Sequence, residues 1–151
     1  MAALVTAGGG FLLAVLWFDL MFDVQVRGHG GDELPEPVLA SIAAYYARVT
    51  TGARPMNRLV ALAMVATVVG LIGEGLGDEI ALPAVLISVL VGVPPMLLAG
   101  VRVVPAAVRL GSREDDSATQ SRLARQIYVD HVYCVVAIAG MLAVQAIAIV
   151  A

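Results

Sequence analysis

The stretch IALPAVLISVLVGVPPMLLAGVRVV, residues 80–104, decides the fold class of this chain. Its 25 residues include one charged side chain, Arg102, close to the end of the stretch. A helix rises about 1.5 Å per residue, so about 20 apolar residues cross the roughly 30 Å hydrocarbon core of a bilayer. The stretch therefore predicts a membrane-spanning helix.

Three other stretches have the same character, and they predict spans over residues 2–22, 57–76 and 127–150. The second has the shortest apolar run, residues 59–73, and it spans a bilayer only if it includes Met56 or continues past Glu74. The whole chain is 60% apolar and 14% charged, whereas soluble domains average about 45–50% and 25%. This composition excludes a soluble enzyme, and the length predicts one transmembrane domain over residues 1–151.

A fifth, shorter helix is predicted between spans one and two, over residues 36–50. Its apolar residues recur at helical spacing behind Pro35, Glu36 and Pro37; they are Val38, Leu39, Ile42, Tyr45, Tyr46 and Val49. An amphipathic helix of this kind lies on a membrane surface. We therefore expect an all-α integral membrane protein, a four-transmembrane-helix bundle with a short interfacial helix between helices 1 and 2. Ser117 and Gln120 are spaced as a capping box that opens the last helix.

The charges indicate an orientation. Net charge is −3 and every basic residue except the two histidines is Arg, which argues against nucleic acid as a partner. The arginines flank the first and third connections; they are Arg27, Arg48, Arg54, Arg58, Arg102, Arg109, Arg113, Arg122 and Arg125. The positive-inside rule places these connections in the cytoplasm and both termini outside. An Arg-rich, Lys-free composition is typical of high-GC bacteria, so the expected location is the bacterial inner membrane.

A polar layer is predicted near the cytoplasmic boundary of the spans. Asp19 and Asp23 share one helix face, and Asp130 and His131 lie at a matching depth in the fourth span. The predicted layer consists of Asp19, Asp23, Arg58, Arg102, Tyr128, Asp130 and His131. Ionisable groups inside a bilayer cost about 2.5–3.5 kcal/mol each, so each one needs a partner or a role.

Two interpretations of this layer stay open. Carboxylates and an imidazole suit a divalent metal or proton transfer, with Asp19, Asp23, Asp130 and His131 as the metal ligands. Alternatively, the acids neutralise Arg58 and Arg102 and form an ion-paired latch that sets helix packing.

A second polar pair is predicted near the outer face. Glu74 and Gln145 lie at similar depth in the second and fourth spans. A hydrogen-bonded Glu74 would be purely structural, whereas a titrating one would mark a proton or cation route.

The leading functional hypothesis is a small inner-membrane protein whose polar layer binds a ligand, a metal ion or a partner subunit, in a homo-oligomer or with another membrane protein. A membrane-embedded, metal-dependent enzyme of oxidoreductase type, using the Asp/His cluster, is the first alternative. A proton-coupled or ion-conducting oligomer that uses Glu74 is the second.

Overall fold

The computed structural model describes residues 1–52, 54–78 and 80–150, without the side chains of Arg54 and Pro55. All regular elements within these ranges are helical. The α-helices are α1 (Ala2–Asp23), α2 (Glu36–Tyr46), α3 (Arg54–Gly75), α4 (Leu82–Leu98), α5 (Val104–Ser112) and α6 (Ser117–Val150). A 3₁₀ turn, Val24–Val26, follows α1, and π-helical segments, Ala47–Gly52 and Ala99–Val103, follow α2 and α4.

Four stretches of this fold are long and apolar enough to cross a membrane: Ala2–Val26, Met56–Gly75, Leu82–Ser112 and Ser117–Val150. The described residues thus contain four candidate membrane-spanning helices, the number that the sequence predicts. Large apolar side chains point away from the protein, with Leu62 63%, Leu90 73% and Val136 67% exposed. Such an exterior is unfavourable in water and suits lipid, so the fold indicates a multi-pass membrane protein.

In the bundle, α1 packs against α3 and α6, and α4 packs against α6 and, less closely, α3. Buried residues between these helices form an apolar core; they include Val5, Leu12, Leu71, Ile138 and Met141. Pro94 and Pro95 lie inside α4 without ending it. The widened π turn after Leu98 then leads directly into α5, so one nearly continuous helical segment runs from Leu82 to Ser112.

The helices that contain the third and fourth predicted spans are longer than those spans, because the helical segment of the third continues to Ser112 and the helix of the fourth already begins at Ser117. At 1.5 Å per residue, the 34 residues of α6 extend for about 51 Å, far more than a 30 Å hydrocarbon layer needs. Together with α5, the first turns of α6 form a second apolar surface. This surface includes Ala106, Ala107, Leu110, Leu123 and Ala124.

The helix predicted over residues 36–50 is present as α2 and its π extension, but its apolar face does not lie open for lipid. Leu39, Ile42 and Tyr46 are fully or almost fully buried in a cluster with α5 and α6. We call this unit of α2, α5 and the first turns of α6 the cap. The residues that cover α2 belong to segments that the sequence presents as a polar connection.

Polar contacts hold the connections of the cap. The Leu34 amide donates to Ser121 Oγ at 2.8 Å, and Arg109 makes two hydrogen bonds of 2.6 Å to Asp115. Asp116, rather than Ser117, caps α6, since its Oδ1 accepts from the Thr119 amide at 2.7 Å. This hydrogen bond lowers the pKa of Asp116, as expected for a helix N-cap.

Candidate functional site

The buried side chains of Asp23, Tyr46 and His131 form a network where the bundle meets the cap. Asp23 is the last residue of α1, Tyr46 ends α2, and His131 lies in the middle of α6. Asp23 Oδ2 is 2.6 Å from His131 Nδ1, and Tyr46 donates its hydroxyl to Asp23 Oδ1 at 2.6 Å. Burial and the carboxylates of Asp23 and Asp19 raise the pKa of Tyr46. The Tyr46 hydroxyl therefore keeps its proton and remains a donor.

Asp23 fixes the orientation of the imidazole. A carboxylate at Nδ1 favours the tautomer, or the protonated ring, in which Nδ1 carries a hydrogen. The other ring nitrogen, Nε2, then faces Asp19, whose Oδ2 is 3.8 Å away. That separation is longer than a hydrogen bond. Asp19 is instead held by Tyr45, whose hydroxyl donates to Oδ1 at 2.6 Å.

A cavity of about 90 Å³ begins at Asp19 and His131 and is otherwise lined by apolar side chains, the Cys134 thiol and Pro95. Its walls come from α1, α3, α6 and the segment around the π turn after α4; they include Leu16, Val60, Met64, Pro95 and Ala99. Val104, which also lines the cavity, is 49% exposed. Val104 therefore belongs both to the cavity wall and to the outer surface of the bundle.

The predicted polar layer is only partly assembled. Asp19, Asp23 and His131 meet in the network, whereas Asp130 turns towards Arg102, with Nε 2.9 Å from Oδ2. Arg58 is exposed. It forms no ion pair with the described carboxylates of Asp19, Asp23 and Asp130. Tyr128 packs against the apolar cluster of the cap.

The latch interpretation therefore applies to one pair, Arg102 and Asp130. Asp130 Oδ2 is buried and has no well-aligned hydrogen bond among the described residues, although the Arg102 Nε lies beside it. The short distance and the missing hydrogen bond agree if the Nε–H of Arg102 points past Asp130 Oδ2. The contact between the two side chains is then Coulombic. The side chain of Arg102 is 52% exposed, so solvent weakens this contact.

We expect a small coupling between Arg102 and Asp130. In a double-mutant cycle of Arg102→Leu and Asp130→Ala, the interaction energy should be about 1 kcal/mol or less. Reversible unfolding of the two single variants and the double variant in mixed micelles measures it. A coupling of about 3 kcal/mol or more would show that this pair is a buried latch after all.

The metal interpretation has no support from the arrangement of these side chains. Among residues 1–52, 54–78 and 80–150, no group of three or more His, Cys, Asp or Glu side chains is placed to hold a metal ion. The carboxylates have other partners. Asp130 pairs with Arg102, and Asp23 contacts Tyr46 and His131. The four predicted ligands thus do not converge on one point.

The second predicted pair does come together. Gln145 Nε2 donates to Glu74 Oε2 at 2.8 Å and to Ser88 Oγ at 3.1 Å. All three side chains are buried, and they come from α3, α4 and α6.

Sequence reasoning missed Tyr45, Tyr46 and Ser88 as functional residues. The two tyrosines counted only as part of the apolar face of the helix predicted over residues 36–50. The signal that could have revealed them is the short connection from Val26 to Glu36, because it folds α2 back beside the end of α1. Gly28 and Gly31 in this connection have φ of +82° and +90°, a conformation that favours glycine.

No family model, curated protein or solved structure matches this chain, so the geometry of the site carries the functional argument.

Proposed function

We propose that the protein binds a small, largely apolar molecule that enters the cavity from the bilayer. Asp19 and His131 hold the polar end of this molecule, and the apolar walls hold the rest. The observation that carries the proposal is the 3.8 Å gap between Asp19 Oδ2 and His131 Nε2 at the polar end of a cavity that is otherwise almost entirely apolar. Ligand sites commonly combine apolar walls with a few fixed polar groups.

The Asp23–His131 contact favours a second candidate, which is proton exchange with the bound molecule. A carboxylate that orients an imidazole through Nδ1 leaves Nε2 free to take or give a proton. In this form the protein is an enzyme embedded in the membrane, with His131 as the acid or base, and Asp23 and Tyr46 as positioning residues. The Asp19 carboxylate opposite Nε2 stabilises the protonated ring electrostatically.

The proposed setting is the bacterial inner membrane, with the cap in the cytoplasm and both termini outside. The support is the arginine distribution, because all nine arginines lie in the sequence between Val26 and Gln126 and none lies in the outer halves of the spans. Such an asymmetry is typical of cytoplasmic loops and the ends of spans beside them. The cavity would then open close to the cytoplasmic leaflet.

A pair of matched probes tests the binding proposal. At equal membrane concentrations, phenol should stabilise the nanodisc-embedded protein more than benzene, which lacks a polar end. At tenfold excess over Kd the stabilisation is about 1.4 kcal/mol, or about 3–5 °C in Tm for a chain of this length. Circular dichroism melting curves provide the measurement.

Two variants control the probe experiment. Ala99→Leu narrows the cavity and should remove the effect of both probes, whereas Asp19→Ala should remove only the advantage of the phenol. Equal stabilisation by both probes in the wild type, or a phenol effect that survives Ala99→Leu, would reject the proposed site.

A further inference from the structure

A second polar site lies in the bundle, far from the cap. It consists of Glu74 on α3, Ser88 on α4 and Gln145 on α6, which are 2%, 0% and 0% exposed. Gln145 follows His131 by 14 residues on the same helix, a separation of about 21 Å. The two sites therefore lie towards opposite ends of the spans.

The hydrogen bonds of this site leave acceptor atoms unused. Gln145 Nε2 serves both Glu74 Oε2 and Ser88 Oγ. Glu74 Oε1 and Gln145 Oε1 are buried without a hydrogen-bond partner among the described residues. A buried carboxylate oxygen without a partner is costly, so these atoms indicate a bound species that supplies positive charge or a proton.

Glu74 has no basic side chain beside it from any of the packed helices. Residues 82–98 of α4 and residues 132–150 of α6 contain no charged residue, and in α3 the nearest one is Arg58, 16 residues earlier. The Met1 side chain lies over Gly73, so the amino group of the chain is at this end of the bundle. Asp78, in the turn after α3, is exposed. Among the described residues, the hydrogen-bond partner of Glu74 is the neutral side chain of Gln145.

We propose that the Glu74 carboxylate binds one monovalent cation, H⁺ or Na⁺, with Ser88 and Gln145 as supporting ligands. For H⁺, the protonated carboxyl donates to Gln145 Oε1 after the side-chain amide of Gln145 rotates. For Na⁺, the carboxylate, the amide oxygen and the Ser88 hydroxyl are hard oxygen ligands. Either cation removes the cost of an uncompensated charge within the spans.

Dense apolar packing separates this site from His131. Between it and His131, the bundle is filled by Met141 and neighbouring apolar residues. A Cβ atom on Gly92 would lie 2.3 Å from Met141 Sδ, and one on Gly9 would lie 2.8 Å from Met141 Cε, so the packing there is dense. This layer argues against ion conduction through a single chain, and we expect the cation to exchange from the side of the termini.

Infrared spectroscopy of the full-length protein in nanodiscs at neutral pH tests the proposal. Wild type and Glu74→Gln are compared in choline chloride and in NaCl at equal ionic strength. For H⁺, we expect a protonated-carboxyl C=O band in the wild type that Glu74→Gln lacks and that Na⁺ leaves unchanged. For Na⁺, we expect Na⁺ to shift the Glu74 carboxylate bands or to replace the C=O band.

A Glu74 that stays a free carboxylate in both salts, with bands that Na⁺ does not move, would overturn the proposal. If Glu74→Gln does not fold, the wild-type protein is labelled with ¹³C at the glutamate side-chain carboxyl. The isotope shift then assigns the carboxyl bands to glutamate. Substitution of the other glutamates by Gln, one at a time, then identifies the Glu74 band; among the described ones, Glu33, Glu36 and Glu114 are exposed. The Asp19–His131 site takes no part in this measurement. If the proposed ligand does not bind there, the expected result for Glu74 stays the same.

Discussion

Replacing Asp23 by Ala is expected to lower the free energy of unfolding by about 3–5 kcal/mol, the largest effect of any polar substitution in this protein. Asp23 is fully buried and accepts from Tyr46 while it contacts His131. Its removal leaves the Tyr46 hydroxyl and His131 Nδ1 without their partner, and it also leaves a cavity. Reversible unfolding in mixed micelles measures the change.

Two further variants make this prediction specific. Asp32→Ala removes an exposed carboxylate in the connection before α2 and should cost less than about 0.5 kcal/mol. Asp23→Asn keeps the size of the side chain and an acceptor for Tyr46, but its amide donates towards Nδ1. Nitrogen NMR of His131 should then show the hydrogen on Nε2 in place of Nδ1. An unchanged tautomer, or a loss below about 1 kcal/mol in Asp23→Ala, would refute the positioning role of Asp23.

The spans were predictable from sequence because hydropathy directly measures the transfer of a helix into lipid. Depth within a span was predictable for the same reason, since a fixed rise per residue converts sequence position into height. This arithmetic placed Asp19 and Asp23 level with His131, and Glu74 level with Gln145. The structure brings both groups together.

The cap was not predictable in this way. Hydropathy treats residues 104–126 as a connection, because Arg109, Arg113, Arg122 and Arg125 interrupt the apolar pattern. In the structure these arginines point outward or bind acceptors at the surface. Arg109 pairs with Asp115 and Arg113 with Glu36, while Arg125 donates to the backbone of Asp32. The small residues between them build a helix surface that only a tertiary partner, α2, reveals.

Partner choice within the polar layer was also beyond the sequence. Depth alone allows Asp19 to pair with Arg58, Arg102 or a tyrosine, and the direction in which each side chain points decides between them. Arg58 lies on an exposed face of α3, so Tyr45 provides the hydrogen bond to Asp19 instead. This exchange replaces a charge pair by a neutral donor, and it leaves the Asp19 carboxylate available to a molecule in the cavity.

The close approach of α2 to α5 depends on Gly111, and we expect Gly111→Ala to lower the free energy of unfolding by about 2–3 kcal/mol. A Cβ atom at this position would lie 2.7 Å from the Ala47 amide nitrogen and 3.1 Å from the Tyr46 carbonyl carbon. These are backbone atoms, so no rotamer change relieves the clash and α2 must move. Gly100→Ala is the matched control, because nothing lies within 4 Å of a Cβ atom there.

Movement of α2 would reach the functional site, because Tyr45 and Tyr46 are carried on its last turn. In Gly111→Ala we therefore expect faster hydrogen exchange in α2 and a loss of the preference for phenol over benzene, since Asp19 loses the support of Tyr45. Gly100→Ala should keep both properties and the wild-type stability within about 0.5 kcal/mol. If Gly111→Ala keeps the phenol preference while α2 exchanges faster, then the cap and the cavity are independent, and Asp19 needs no tyrosine to bind its ligand.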